Sequence, residues 1–88
     1  MSNDLKLSHT LIELGNDGML SLYQNRRSAR LTEEEVDMLA GWLALTPPAH
    51  LDTVNNSFKR DKIELIINNH IFIPDHEVEV LRIWLLSL

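Results

Sequence analysis

Hydrophobic positions along the chain change period several times, and the changes repeat. Val36, Leu39, Ala40 and Leu43 fall at i, i+3, i+4 and i+7, one face of a helix, with Met38 and Trp42 widening it. The stretch Glu34 to Leu43, EEVDMLAGWL, returns as HEVEVLRIWL from His76 to Leu85. In that alignment Val36 matches Val78, Leu39 matches Leu81, Trp42 matches Trp84 and Leu43 matches Leu85. Both tryptophans of the chain thus occupy one place in a shared pattern, which makes coincidence a poor explanation.

The signals around these helices repeat too. Thr32 with Glu35 forms a capping-box pattern, in which hydroxyl and carboxylate satisfy amide donors at a helix start. Glu33, Glu34 and Glu35 suit the positive end of the helix dipole. Pro47-Pro48 stops the first helix; Pro74 and Asp75 open the second. Upstream of each helix the period drops to two. Lys62 to Ile67 alternates, Asn68-Asn69 supplies a tight turn, and Ile71 to Ile73 resumes the alternation, a hairpin pattern. MLSLYQ-NRR-SARL, Met19 to Leu31, repeats the form with a slightly longer turn. A short strand is predicted at Thr10 to Leu14 before the turn Gly15-Asn16-Asp17-Gly18, with a counterpart at Leu51 to Val54 before a basic loop from Asn55 to Asp61. A helix over Asp61 to His70 is the competing reading, disfavoured by the β-branched alternation around Asn68-Asn69.

The expected fold is therefore α+β: an internally duplicated β-β-β-α unit, with two meanders meeting as a six-stranded antiparallel sheet and two helices on one face. Residues 1–88 are expected to form a single domain, with repeats at about 9–45 and 50–88 joined by 46–49. Neither half is large enough to bury its own helix and sheet, so one fused core is expected. The copies differ at Gly41 and Ala44, matched by Ile83 and Leu86. Either the small pair receives the large pair between packed helices, or the second helix presents an apolar face to a second copy, as in a homodimer.

Composition narrows the function more than it names it. The chain has 88 residues, 44% of them hydrophobic and 24% charged, and no cysteine. That excludes a disulfide framework and thiol chemistry, and fits a reducing, cytoplasmic setting. Disorder is expected only over Met1 to Lys6. No apolar run approaches the length of a membrane span, and the N-terminus lacks a signal-peptide pattern. Net charge is −5, against general polyanion binding. The distribution is patchy: acids gather at Glu33, Glu34, Glu35, Asp37, Asp75, Glu77 and Glu79, bases at Arg26, Arg27 and Arg30 and at Lys59, Arg60 and Lys62.

Catalytic chemistry is sparse. There is no phosphate loop, nucleophile elbow or helical metal motif. His70, Asp75, His76 and Glu77 are the nearest approach to a metal cluster, but adjacent His76 and Glu77 point apart on a helix. His9 and His50 match between copies and read as repeat structure. No cofactor, no metal and no enzymatic activity are expected.

Three groups remain as candidate binding residues. With the apolar alternation turned toward the helices, including Ile63, the residues Tyr23, Ile66 and Phe72 face the other way, ringed by Arg30, His70 and Glu64. A sheet covered on one side leaves such a patch open. The helix starts offer Glu33, Glu34 and Asp37 as an acidic edge suited to a basic groove. Arg26, Arg27, Arg30, Lys59, Arg60 and Lys62, with the aromatic face, form the nucleic-acid alternative. The leading expectation is a small non-enzymatic protein-binding module, a bacterial or phage-encoded inhibitor or regulator that occupies a surface of a larger partner, such as a nucleic-acid-processing or defence complex. A small nucleic-acid-binding regulator is the second expectation.

Overall fold

A computed structural model describes residues 4–45 and 50–88. The element order is β1 (Asp4–Lys6), β2 (Leu11–Leu14), β3 (Leu20–Gln24), β4 (Arg27–Leu31), α1 (Glu33–Leu43), β5 (His50–Asp52), β6 (Ser57–Arg60), β7 (Glu64–Ile67), β8 (Ile71–Pro74) and α2 (Asp75–Leu86). The fold is α+β and the β-β-β-β-α pattern occurs twice. Each half is an antiparallel four-stranded meander, in the orders β1-β2-β3-β4 and β5-β6-β7-β8.

Each repeat thus has one strand more than the periodicity predicts, and there are two sheets in place of one six-stranded sheet. The missed strands have physical reasons. β1 is three residues long with only Leu5 turned inward, too short for alternation to show, and it lies where disorder was expected. β6 lies inside the predicted basic loop. Its one apolar residue, Phe58, is fully buried, paired with Ile67 and tilted against Trp42 at 6.4 Å between ring centres. The counterpart of β2 in the second half is accordingly β6, and Leu51 belongs to the counterpart of β1. A helix over Asp61 to His70 is replaced by β7 and its turn.

The turn lengths are reversed from expectation. Gln24 pairs with Arg27, so the first hairpin turns in two residues, with Asn25 at φ 57°. Ile67 pairs with Ile71, leaving Asn68, Asn69 and His70 in the second turn, with both asparagines at positive φ. Asparagine tolerates that left-handed geometry better than most side chains.

The helices begin as their signals specify, with one exception. Thr32 caps α1, its hydroxyl accepting from the Glu35 amide while the Glu35 carboxylate accepts from the Thr32 amide. Asp75 makes no side-chain cap on α2; it sits 3.5 Å from Arg60 Nη2 instead. The joint at 46–49, with the Pro47-Pro48 stop signal, lies outside the described residues.

Buried side chains of both halves form one continuous cluster, from Ile12, Leu20, Leu22 and Leu31 through Leu39 and Trp42 to Phe58, Leu65, Ile67, Ile71, Ile73, Val78 and Leu81. Contacts between the halves are reciprocal. Glu35 at the start of α1 binds the loop before β6, accepting from Thr53 Oγ1, Asn56 Nδ2 and the Asn55 amide. Its counterpart Glu77 on α2 binds the loop before β2, accepting from the Ser8 amide and hydroxyl. The two loops close alike, Leu7 N to Thr10 O at 2.8 Å and Thr53 N to Asn56 O at 2.9 Å. Each helix is therefore anchored at its start to the other half.

Candidate functional site

Strand register sets out the face turned away from the core. Residues directly opposite on paired strands point to the same side. In the first sheet, Lys6, Leu11, Tyr23 and Ser28 form one row across β1 to β4. In the second, His50, Lys59, Ile66 and Phe72 form a row across β5 to β8. Their neighbours in sequence, such as Ile12, Leu22, Ala29, Phe58, Leu65, Ile67, Ile71 and Ile73, are buried on the inner side. Tyr23 remains 43% exposed and Phe72 38%, a large fraction for aromatic side chains in the middle of strands. Ile66 and His70 are half-buried and Arg30 is exposed. Ile63 does not join the inner face: β7 begins at Glu64, and Ile63 is exposed in the turn preceding it.

The two sheets meet where β4 and β8 approach without pairing as strands. Side chains satisfy the facing backbones instead, as buried or half-buried amides require. The Gln24 carboxamide accepts from Phe72 N at 3.0 Å and donates to Phe72 O at 2.7 Å, imitating a strand partner, and also donates to Thr10 Oγ1 at 3.0 Å. Asn56 Nδ2 donates to Arg30 O at 2.9 Å, and Asn68 holds Asn56 in place through Asn56 Oδ1 at 2.8 Å. Arg27 donates to His70 O at 3.0 Å. His70 Nε2 lies 3.2 Å from Ser28 O, which requires the Nε2–H tautomer or the charged ring. Tyr23 and Phe72 come from different halves, and Gln24, next to one, grips the backbone of the other.

Tyr23 in the first sheet, and Ile66 and Phe72 in the second, thus lie on the side of their own sheet turned away from the core, and His70 lies at the junction between the sheets. Arg30 shares the face but reaches toward the loop after β2, 3.9 Å from Asp17 and 3.7 Å from Met19 Sδ. The signal for Gln24 as a bridge was present in the sequence only as a polar residue at the end of an alternating strand, and Asn56 had none.

The basic residues divide. Arg60 turns to the core side, donating to Leu43 O at the end of α1 at 3.4 Å as well as meeting Asp75. Arg27 is committed to His70. Arg26 and Lys62 are exposed in turns, and Lys59 is exposed on the outer face beside Ile66. The six bases do not form one surface.

Glu33, Glu34 and Asp37 are exposed at the start of α1. Glu33 lies over Gly18, whose φ of 81° and proximity to the Glu33 carboxylate leave no easy room for a side chain there. The charges at the start of α2 are engaged, Asp75 by Arg60, Glu77 by Ser8 and Glu79 by Arg82. Glu35 is buried, which pushes its carboxyl pKa up. Hydrogen bonds from Thr53, Asn56 and the Thr32 and Asn55 amides outweigh that and bring it down to about 2.

The packing expected between Gly41/Ala44 and Ile83/Leu86 does not occur. Ile83 is 57% exposed and Leu86 61%, and open space surrounds Gly41. With Val80 they form an apolar ridge along the outer side of α2.

One open hollow of about 500 Å³ lies at the first-sheet end of the outer face, lined by Lys6, Ser8, His9, Leu11, Tyr23 and Asn25 among others. Among the described residues no three His, Asp or Glu side chains are placed to hold a metal ion, and no helix is long and apolar enough to cross a membrane. No protein-family model, no curated protein and no solved structure matches the chain.

Proposed function

We propose that the protein is a small non-enzymatic binding module that acts by occupying a surface of a larger protein, as an inhibitor or regulator does, and that its outer sheet face makes the contact. One observation carries this reading: Tyr23 and Phe72 stand exposed on the outer sides of their sheets, and the Gln24 bridge ties the strand of one to the strand of the other. Exposed aromatics held rigidly are the usual energetic anchors of protein interfaces, because little conformational freedom is lost when they are covered. Leu11 beside Tyr23 and Ile66 beside Phe72 extend each apolar centre, with charged side chains of both signs around them, among them Lys6, Glu13, Lys59 and Glu64, the arrangement of an interface core and rim.

The acidic helix start is the weaker candidate surface. Glu34 and Asp37 are exposed there, but no aromatic or large aliphatic anchor accompanies them except Met38.

Affinity capture from the source cells with wild-type protein, a Tyr23→Ser/Phe72→Ser variant and a Glu33→Lys/Glu34→Lys/Asp37→Lys variant tests the reading. All five positions are exposed, so circular dichroism of each variant should match wild type. The reading expects one protein to be retained by wild type and the acidic-edge variant and lost by the sheet-face variant. Loss by the acidic-edge variant alone moves the site to α1. Retention of nucleic acid in place of protein overturns the reading.

A further inference from the structure

The two repeats close their first loops alike but do not hold them equally. Glu35 is buried and takes the Thr53 hydroxyl, the Asn55 amide and the Asn56 carboxamide, and Asn56 is itself held by Asn68. Glu77 is half-buried and takes the amide and hydroxyl of one exposed residue, Ser8. The Ser8 hydroxyl holds the Glu77 carboxyl below its ordinary range, so near neutral pH this tie is a carboxylate accepting two bonds.

The strands leading into these loops differ in the same sense. β1 is the edge of the first sheet and three residues long. Its Asp4 stands directly opposite Glu13, and like charges in that position destabilise a strand pair. β5 is the matching edge of the second sheet, and there no acid faces an acid: Asp52 stands opposite Ser57 and lies 2.8 Å from His50. At the far end of the first loop Thr10 is buried and bonded to Gln24, a fixed point from which the preceding residues can turn.

We infer that residues 4–9 are a flap on the edge of the first sheet, hinged at Thr10 and latched to α2 by Glu77, which opens while the remainder of the molecule stays folded. Opening gives up the pairing of β1, the contacts of Leu5 and Leu7 with the core and the Glu77 bonds. It leaves the core of buried side chains and the Glu35 tie intact, so it requires less free energy than global unfolding. The open state has β2 as its edge, with unpaired backbone groups along Leu11–Leu14 onto which an extended chain can add as a strand. It also dismantles the hollow, four of whose lining residues are Lys6, Leu7, Ser8 and His9. The second repeat, closed by Glu35, has no equivalent opening.

Amide hydrogen exchange followed by NMR near pH 7, at several low denaturant concentrations, tests the inference in wild type, Glu77→Gln, Asp4→Asn and Glu35→Gln. The amides to compare are Leu7 and Ser8 against Thr53 and Asn55, all of them hydrogen-bonded. In wild type, Leu7 and Ser8 should be protected but exchange faster than Thr53 and Asn55, with little dependence on denaturant. Glu77→Gln should speed Leu7 and Ser8 about tenfold, and Asp4→Asn should slow them about twofold. Glu35→Gln should speed Thr53 and Asn55 and leave Leu7 and Ser8 unchanged, because the flap opens without breaking the Glu35 bonds. Leu7 and Ser8 matching Thr53 and Asn55 in rate and denaturant dependence, or lacking protection in wild type, overturns the flap. Unchanged exchange of Leu7 and Ser8 in Glu77→Gln overturns Glu77 as its latch.

Discussion

Glu35 performs two tasks with one carboxylate: Oε1 closes the capping box of α1, and Oε2 gathers Thr53, Asn55 and Asn56 from the other half. Because its folded pKa of about 2 lies below the ordinary 4.5, its contribution is complete above pH 4.5 and is lost as pH falls through 2. That shift corresponds to at most roughly 3 kcal/mol, since one unit is worth about 1.4 kcal/mol. Chemical denaturation followed from pH 5 to pH 2 should therefore show a falling stability in wild type. Glu35→Gln should be less stable at pH 6 and flatter over the acid range. An unchanged acid limb in the variant would show that other carboxylates set it. Gln24 is the second residue with a disproportionate role. Gln24→Ala leaves the Phe72 amide and carbonyl and the Thr10 hydroxyl without their partner, at a cost of about 1–3 kcal/mol in a denaturant titration. It should also weaken partner capture, although Gln24 is itself buried.

At the scale of elements, the helices differ where their outer faces differ. Gly41 is helical and exposed, with nothing within 4 Å of an added Cβ. Gly41→Ala should stabilise the protein by about 0.5–1 kcal/mol, read as a rise in melting temperature, because alanine loses less backbone entropy in a helix. No rise would mean that this position is constrained by something outside α1. The helices were legible in the sequence down to the capping box, since eleven or twelve residues of strong period and a reciprocal cap leave little ambiguity. Strands β3, β4, β7 and β8 were legible too, each pair being an alternating run broken by an Asn turn. β1 and β6 were not: each turns few apolar side chains inward, and β6 is dressed in Lys59 and Arg60, which read as loop. The choice between one sheet and two was beyond the pattern, because it depends on whether β4 and β8 pair through backbone or through Gln24, Asn56, Arg27 and His70. Of the candidate site, the outward placement of Tyr23, Ile66 and Phe72 followed from period two. Its bridge and its hollow did not, since both depend on side chains distant in sequence.

For the whole molecule, the reciprocal anchoring of each helix to the other half predicts that the two sheets lose structure together. The Trp42–Phe58 contact, the Glu35 and Glu77 bonds and the shared core all cross between halves. Tryptophan fluorescence and far-ultraviolet circular dichroism should follow one superimposable transition in denaturant, as a cooperative unit does. Two separated transitions would show halves that fold independently. The same architecture leaves the outer sides of the two sheets uncovered, with an exposed aromatic on each, and the binding role stands or falls on those surfaces. Site-specific photocrosslinking in the source cells addresses it most directly, with a benzophenone side chain placed at Ser28, beside Tyr23 on the outer row, or at Glu34 on α1 or Ile83 on α2. The account predicts a discrete protein adduct from position 28, abolished by Tyr23→Ser/Phe72→Ser, with little from 34 or 83. Adducts from 34 or 83 and none from 28 would contradict it.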